Sequence, residues 1–175
     1  MIKPLPKSRF KDHPLAFAYE TDVVYEVVRD QCEHETTFRF TLKTLEKPVK
    51  KAFEAKLYPE YFQHAEAYGY DVEGVLAGVI EINHEPYNNR VRITECIVFD
   101  AFRRRGIGRR LIEHAVQRAK ALRARALILE TQTSNVAAIR FYRTCGFSLM
   151  GTDLTAYSNE DVERDEVRVE FARCL

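Results

Sequence analysis

The feature that most constrains this chain is a change of hydrophobic period at a pair of glycines. Before it, Val91, Ile93, Ile97 and Phe99 alternate in part and share one face of a strand. After it, Ile107, Leu111, Ile112, Ala115, Val116, Ala119 and Leu122 form one helical stripe, opposite Arg110, Glu113, Gln117 and Lys120. The stretch Val98-Phe99-Asp100-Ala101-Phe102-Arg103-Arg104-Arg105-Gly106-Ile107-Gly108 therefore turns a strand into a helix. Glycine lets the backbone come close to a ligand there. The unpaired N–H groups of the helix start, its dipole and the flanking arginines favour an anion such as a pyrophosphate. Taken alone, these residues leave two other readings open: a plain tight turn, and a basic patch for nucleic acid.

The remaining pattern surrounds this transition with sheet. Ala126-Leu127-Ile128-Leu129-Glu130 is a short apolar run of the buried-strand kind, and Ser134 or Asn135 caps a second helix that ends at Gly146. Upstream, Val23 to Val28 and Phe38 to Leu45 read as strands, and Pro48 to Tyr58 as a helix with Pro48 near its start. Ala65 to Val72 and Val75 to Asn83 form a hairpin about Glu73-Gly74. Phe147 to Leu149, a stretch near Thr155 to Tyr157, and Val167 to Phe171 complete the sheet. The expected class is a mixed α/β fold: an irregular lead-in over residues 1–14, then one domain over residues 15–175.

Composition narrows the class. The 175 residues are 46% apolar, enough for one core without disulfides or metals. Cys32, Cys96, Cys145 and Cys174 are widely spaced with no C-x-x-C pair, so no metal site is expected and they read as small buried residues. No apolar run reaches membrane-spanning length and the start lacks a signal-peptide pattern, which predicts a cytoplasmic protein without a membrane partner. The net charge of +1 gives no broad attraction for nucleic acid. The charges are segregated, however. No Lys or Arg lies between Leu57 and Asn89, where Glu60, Glu66, Asp71, Glu73, Glu81 and Glu85 occur. Nine basic residues face Glu113 alone between Arg103 and Arg125, and acid returns after Gly151.

Two spaced motifs carry a resemblance. Arg103-x-x-Gly106-x-Gly108 matches the Q/R-x-x-G-x-G/A signature of the GNAT family of N-acetyltransferases, and the run from Asn135 through Ala138, Phe141 and Tyr142 to Gly146-Phe147 resembles that family's N-x-x-A-x-x-F-Y-x-x-x-G-F block. The match covers the chain from about Val91 onward. It implies a central mixed, mostly antiparallel sheet flanked by helices, with acetyl-CoA as acyl donor and no metal. It also implies roles. Backbone groups of Ile97, Val98 and Phe99 would align the pantetheine arm and polarise the thioester carbonyl. Arg103, Arg104, Arg105, Gly106, Ile107, Gly108 and Arg109 would hold the pyrophosphate. Asn135, with Ala138 beside it, would meet the pantetheine, and Tyr142 would protonate the departing thiolate.

Within the family, Leu129-Glu130-Thr131-Gln132, the Asn135 block, Cys145-Gly146-Phe147, and Asp153 and Tyr157 before Ser158-Asn159 are similar to streptothricin acetyltransferases. That similarity implies a small-molecule primary amine as acceptor, streptothricin or a related basic compound, for a monomer or homodimer that binds no nucleic acid. Protein N-terminal or lysine acetylation is the alternative within the class, and a non-catalytic nucleic-acid-binding module the alternative outside it.

Glu95, an acid in an otherwise apolar strand just before the cofactor segment, is the candidate for deprotonating the amine, with Glu81, Glu130 and Asp153 in reserve. A structural hydrogen bond is the competing role for Glu95. A thiol nucleophile at Cys96 or Cys145 is disfavoured, since no His or Asn stands at a recognised spacing. The acidic segments, Glu81, Glu85 and Asp153 among them, are expected to attract a polycationic acceptor while the arginines attract an anion.

Overall fold

The computed structural model describes residues 1–175, and the chain forms two compact units. Residues 1–17, 52–129 and 172–175 make the first, and residues 18–51 and 130–171 the second.

The first unit is built on a mixed sheet. β1 (Ile2–Pro4) pairs antiparallel with β4 (Ala65–Val72), which pairs antiparallel with β5 (Val75–Glu85). Glu73 and Gly74, at φ 52° and 84°, supply the two left-handed residues a tight hairpin turn requires, so Val72 stands opposite Val75. β5 pairs antiparallel with β6 (Arg90–Val98), and β6 pairs parallel with the start of β7 (Ala126–Gln132). The sheet is thus mostly antiparallel. A short helix α1 (Lys7–Phe10) follows β1, and α2 (Ile107–Ala121) packs on β5 and β6.

The apolar stripe of α2 lies on the sheet as its period requires, with Ile107, Leu111, Ile112, Ala115, Val116 and Ala119 all buried. Close approach depends on Gly78. A Cβ there would stand 2.8 Å from the Ile97 carbonyl oxygen and 3.2 Å from the Leu111 side chain. Toward the rim, Arg118 of α2 forks onto Glu66 of β4 at 2.9 and 2.8 Å, a bidentate pair that holds the Glu66 carboxyl below its ordinary range. On the opposite face of the sheet, Leu5, Leu15, Leu57, Tyr58, Ala67, Val79 and Ile97 form a second apolar cluster.

In the second unit the end of β7 is followed in the sheet by β9 (Arg168–Cys174) and then β8 (Ser148–Asp153), and α3 (Val136–Thr144) is a nine-residue helix. Asn135 is its N-cap, accepting the Ala138 N–H at 3.1 Å. β2 (Pro14–Gln31) and β3 (Thr36–Lys56) pair as a two-stranded sheet and give most of their length to this unit. No helix is long and apolar enough to cross a membrane.

Five sequence expectations are corrected. Residues 1–14 are not irregular: Ile2–Pro4 adds an edge strand, Leu5 is buried, and Lys3 pairs with Asp71 at 2.6 Å. Three residues are too few to show a period. Pro48 to Tyr58 is strand rather than helix as far as Lys56, because burial there alternates and Phe53 stacks on Phe17 at 5.2 Å. Proline is tolerated on edge strands, and both strands of a two-stranded sheet are edges. Thr155 to Tyr157 is a turn, held by Asp153, which accepts the Thr155 N–H at 2.9 Å. Cys32 and Cys174 are exposed, because they lie in the turn after β2 and at the chain end. Finally, Val91, Ile93 and Ile97 do not share a face. Ile93 stands opposite Ile82 but Glu95 stands opposite Glu81, so Thr94 is an extra residue, a bulge that reverses the facing of the residues after it.

The packing and the cap each carry a stability prediction. Gly78→Ala forces its Cβ against a backbone carbonyl and should cost about 1–3 kcal/mol, seen as a lower urea midpoint. Asn135→Ala removes the α3 cap and should cost about 1 kcal/mol by the same measurement. A Gly78→Ala midpoint equal to wild type would contradict the packing described for α2.

Candidate functional site

The strand-to-helix transition takes its shape from two left-handed residues. After β6 the chain makes one 3-10 turn over Asp100–Phe102, and Arg103 is anchored by its Nε to the Val98 carbonyl at 3.2 Å and by a 2.8 Å ion pair to Asp100. Arg104 (φ 63°) and Gly106 (φ 77°) then swing the chain into α2, with Gly106 as its N-cap. No side chain caps this end. The first N–H groups of α2, at Ile107 and Gly108, have no partner within the helix, so they face outward with the positive end of its dipole. Arg104, Arg105, Gly106 and Arg109 are exposed, and Ile107 is buried as the anchor. Arg105 lies over the Phe102 ring at 5.5 Å. The resulting loop is cationic and donor-rich, matched to a diphosphate.

Directly before it, β6 loses one neighbour. Its parallel register with β7 runs from Arg90↔Ala126 to Arg92↔Ile128 and does not extend to Ile93 and Leu129. The antiparallel register with β5 continues to Gly78↔Val98. The register with β7 thus ends at Arg92, and the backbone edge of Ile97 and Val98 that faces away from β5 lies outside the β6–β7 ladder. Ile97 is buried in the apolar cluster and the Phe99 N–H bonds the Ala77 carbonyl at 3.0 Å, so the segment is held on its β5 side.

Glu95 sits just past the bulge, partly buried, on the same face as Glu81 and Ile97. Glu81, its direct cross-strand partner, is fully buried; its Oε2 accepts the Tyr58 N–H at 2.6 Å and its Oε1 the Thr94 hydroxyl at 2.8 Å. Burial pushes the Glu81 carboxyl above the usual carboxylate range, opposed by those two bonds.

In the second unit, Asn135 spends its side-chain oxygen on the α3 cap, leaving its amide NH2 group to donate. Its own N–H bonds the Gln132 carbonyl at 2.9 Å. The preceding residues are tied down as well, with Tyr19 bonded to Ser134 at 2.9 Å and the Tyr25 N–H to the Thr133 carbonyl at 3.1 Å. Ala138 is partly buried one turn on. Tyr142 is 9% exposed, with its ring edge-on to Phe147 at 6.0 Å. Glu95, Ile97 to Phe99 and Arg103 to Arg109 thus belong to the first unit, and Asn135, Ala138 and Tyr142 to the second.

The reserve acids are engaged elsewhere: Glu81 as above, Glu130 in a 2.5 Å pair with Arg168, and Asp153 in its turn with Thr155. Glu85 pairs with Arg92 and Arg90, so of the acids expected to attract a polycation, Glu81 and Glu85 are already committed inside the protein. The bulge, and with it Thr94 and Tyr58, was missed in the sequence. Its one trace is the interrupted alternation at Thr94-Glu95-Cys96.

Comparison with known proteins extends the picture. Residues 29–147 match the Acetyltransferase (GNAT) family. Streptothricin acetyltransferase of Escherichia coli is 38% identical over 90 residues, 51% of each chain. The chain spans about half the length of the curated relatives it matches. The crystal structure of nourseothricin acetyltransferase shares the fold at a TM-score of 0.78, with 23% identity over 99% of this chain and 97% of that one. That of a streptothricin acetyltransferase homologue from Bacillus anthracis, in complex with acetyl coenzyme A, does so at 0.73, with 24% identity over 100% and 97%. With the family matched over most of its length and the fold shared end to end, the chain is a member of the GNAT acetyltransferase family.

Proposed function

We propose that this chain is an N-acetyltransferase that moves an acetyl group from acetyl-CoA to a primary amine of a basic small molecule of the streptothricin class. The observation that carries this reading is the continuity of two features along one segment: a β6 edge released from β7, and a cationic left-handed loop opening α2. A diphosphate fits the loop, and an extended amide-bearing arm fits a free strand edge. Kinship with streptothricin acetyltransferases, and the acetyl coenzyme A complex of a protein of the same fold, support the donor and the acceptor class.

The residues divide the work as the chemistry requires. Arg104, Arg105 and Arg109 supply charge to the pyrophosphate, with Arg103 bracing the loop, and the N–H groups at Ile107 and Gly108 supply donors. Backbone groups from Ile97 to Phe99 align the pantetheine, and an N–H there polarises the thioester carbonyl. Asn135 donates its amide hydrogen to the arm, beside Ala138. Glu95 accepts the proton the amine loses as the N–C bond forms, and Tyr142 gives its phenolic proton to the sulfur as the C–S bond breaks. Attack is direct, so no covalent enzyme intermediate forms.

The acceptor test incubates the chain with acetyl-CoA and streptothricin, N-terminal peptides or a lysine peptide, and reads mass. A gain of one acetyl group on streptothricin alone is expected; acetylation of the peptides alone would replace the acceptor assignment. Binding of a DNA duplex with no acetyl transfer to any amine would replace the enzyme reading.

Two further outcomes are specific to residues. Arg104→Ala with Arg105→Ala should raise KM for acetyl-CoA about tenfold with little change in kcat, because the charges act on the pyrophosphate alike in ground and transition states. Glu95→Gln should lower kcat about 10²-fold at neutral pH, with recovery as pH rises and the amine loses its proton unaided. A Glu95→Gln enzyme with wild-type kcat would return Glu95 to a structural role.

A further inference from the structure

In the second unit, the loop over residues 154–167 is anchored to the end of β7 and presents one aromatic ring to solvent. Thr133 holds the loop twice, its hydroxyl donating to the Asp165 carbonyl at 2.7 Å and its N–H to the Val167 carbonyl at 2.9 Å. Lys51 of β3 pairs with Glu166. Inside the loop, the fully buried Asp161 carboxylate accepts the Tyr157 N–H at 2.9 Å and the Ser158 hydroxyl at 2.8 Å. Tyr157 is thereby fixed through its backbone while 47% of the residue remains exposed.

β7 and β9 carry the charges beside that ring. One Nη of Arg168 in β9 reaches both Glu130 of β7 and Glu170, each at 2.5 Å. A single cation is thus divided between two carboxylates, which leaves the group one negative charge in excess, and the Glu130 side chain is 36% exposed. The nearness of Glu130 to Tyr157 is registered in the phenol: burial first, and the Glu130 charge next, hold its pKa above the ordinary range, so the ring stays neutral. Two residues along β7, on the same face as Glu130, Gln132 accepts the Tyr19 hydroxyl at 3.3 Å. The Gln132 carbonyl in turn accepts the N–H of Asn135, which the reading above sets against the pantetheine.

An ammonium suits this place, since the carboxylate supplies charge and the face of a neutral phenol ring supplies cation–π attraction. The group bound here is not the one that is acetylated. A reacting amine must shed its proton before it attacks, whereas an ammonium held by a carboxylate keeps its proton. We propose that Tyr157 and Glu130 form a subsite for a second, unreacting cationic group of the acceptor, so that the enzyme selects amines with two positive charges over amines with one. This rests on the acetyltransferase reading above and gives its basic acceptor a recognition element.

The experiment measures inhibition of streptothricin acetylation by the diamine cadaverine and by pentylamine, its single-amine counterpart, in the full chain. Wild type is compared with Glu130→Gln, Tyr157→Leu and Tyr157→Phe, and KM for acetyl-CoA and thermal unfolding are recorded for each. Wild type should favour cadaverine about tenfold. Glu130→Gln and Tyr157→Leu should weaken cadaverine alone and bring the two inhibition constants to within about threefold of each other, with KM for acetyl-CoA near that of wild type. Tyr157→Phe keeps the ring and should keep the preference. Should Glu130→Gln fail to fold, the contrast between Tyr157→Leu and Tyr157→Phe decides. Equal inhibition by the two amines in an active wild type, or an undiminished preference in folded Glu130→Gln or Tyr157→Leu, overturns the proposal. So does an equal weakening of both amines, which is what a merely structural role would give. Wild type that does not acetylate streptothricin would instead overturn the acceptor reading on which the subsite rests.

Discussion

Between Arg92 and Val98, β6 keeps its antiparallel bonds to β5 while its parallel bonds to β7 have already ended. A strand inside a sheet normally has no backbone groups to spare, and leaving them unpaired in a core is costly. Here Ile97 and Val98 lie beyond the register with β7, and they lead without a break into a loop of exposed arginines and outward-facing helix N–H groups. The placement of α2 depends on the same segment. Two left-handed residues, Arg104 and Gly106, turn the chain from the strand onto the sheet, and Gly78 lets the helix and the Ile97 carbonyl come close.

The charges separate into those that build the fold and those that stand at its surface. Arg118 is committed to Glu66, Arg90 and Arg92 to Glu85, and Arg103 to Asp100. Of the acids that a linear count places in the middle of the chain, Glu66 and Glu85 are consumed in these pairs and Glu81 is buried. Arg104 and Arg105 remain exposed beside the start of α2, and their position at a helix N-terminus gives the basic run its meaning.

Much of this was legible before any coordinates. The 3.6-residue stripe of α2 and the Glu73-Gly74 turn were read correctly because each is local, set by residues within one turn or one hairpin. Asn135 was readable as a cap for the same reason. The bulge at Thr94 was not, because it is a relation between β5 and β6, visible only when Glu81 is found opposite Glu95 and Ile82 opposite Ile93. Pro48 to Tyr58 misled for a related reason: Pro48 resembles the first residue of a helix, but pairing with β2 and the stacking of Phe53 on Phe17 make strand as far as Lys56. Fully buried Glu81 looked like one acid among several. What distinguishes it is its partners, which come from residues 23 positions before it and 13 after.

The proposed seat of the acyl donor is the β6 edge together with the α2 loop. Amide hydrogen exchange with and without acetyl-CoA tests this most directly. Slowed exchange on binding is expected for Ile97 to Phe99 and for Arg105 to Gly108. Tight binding that leaves exchange in both segments unchanged would contradict it.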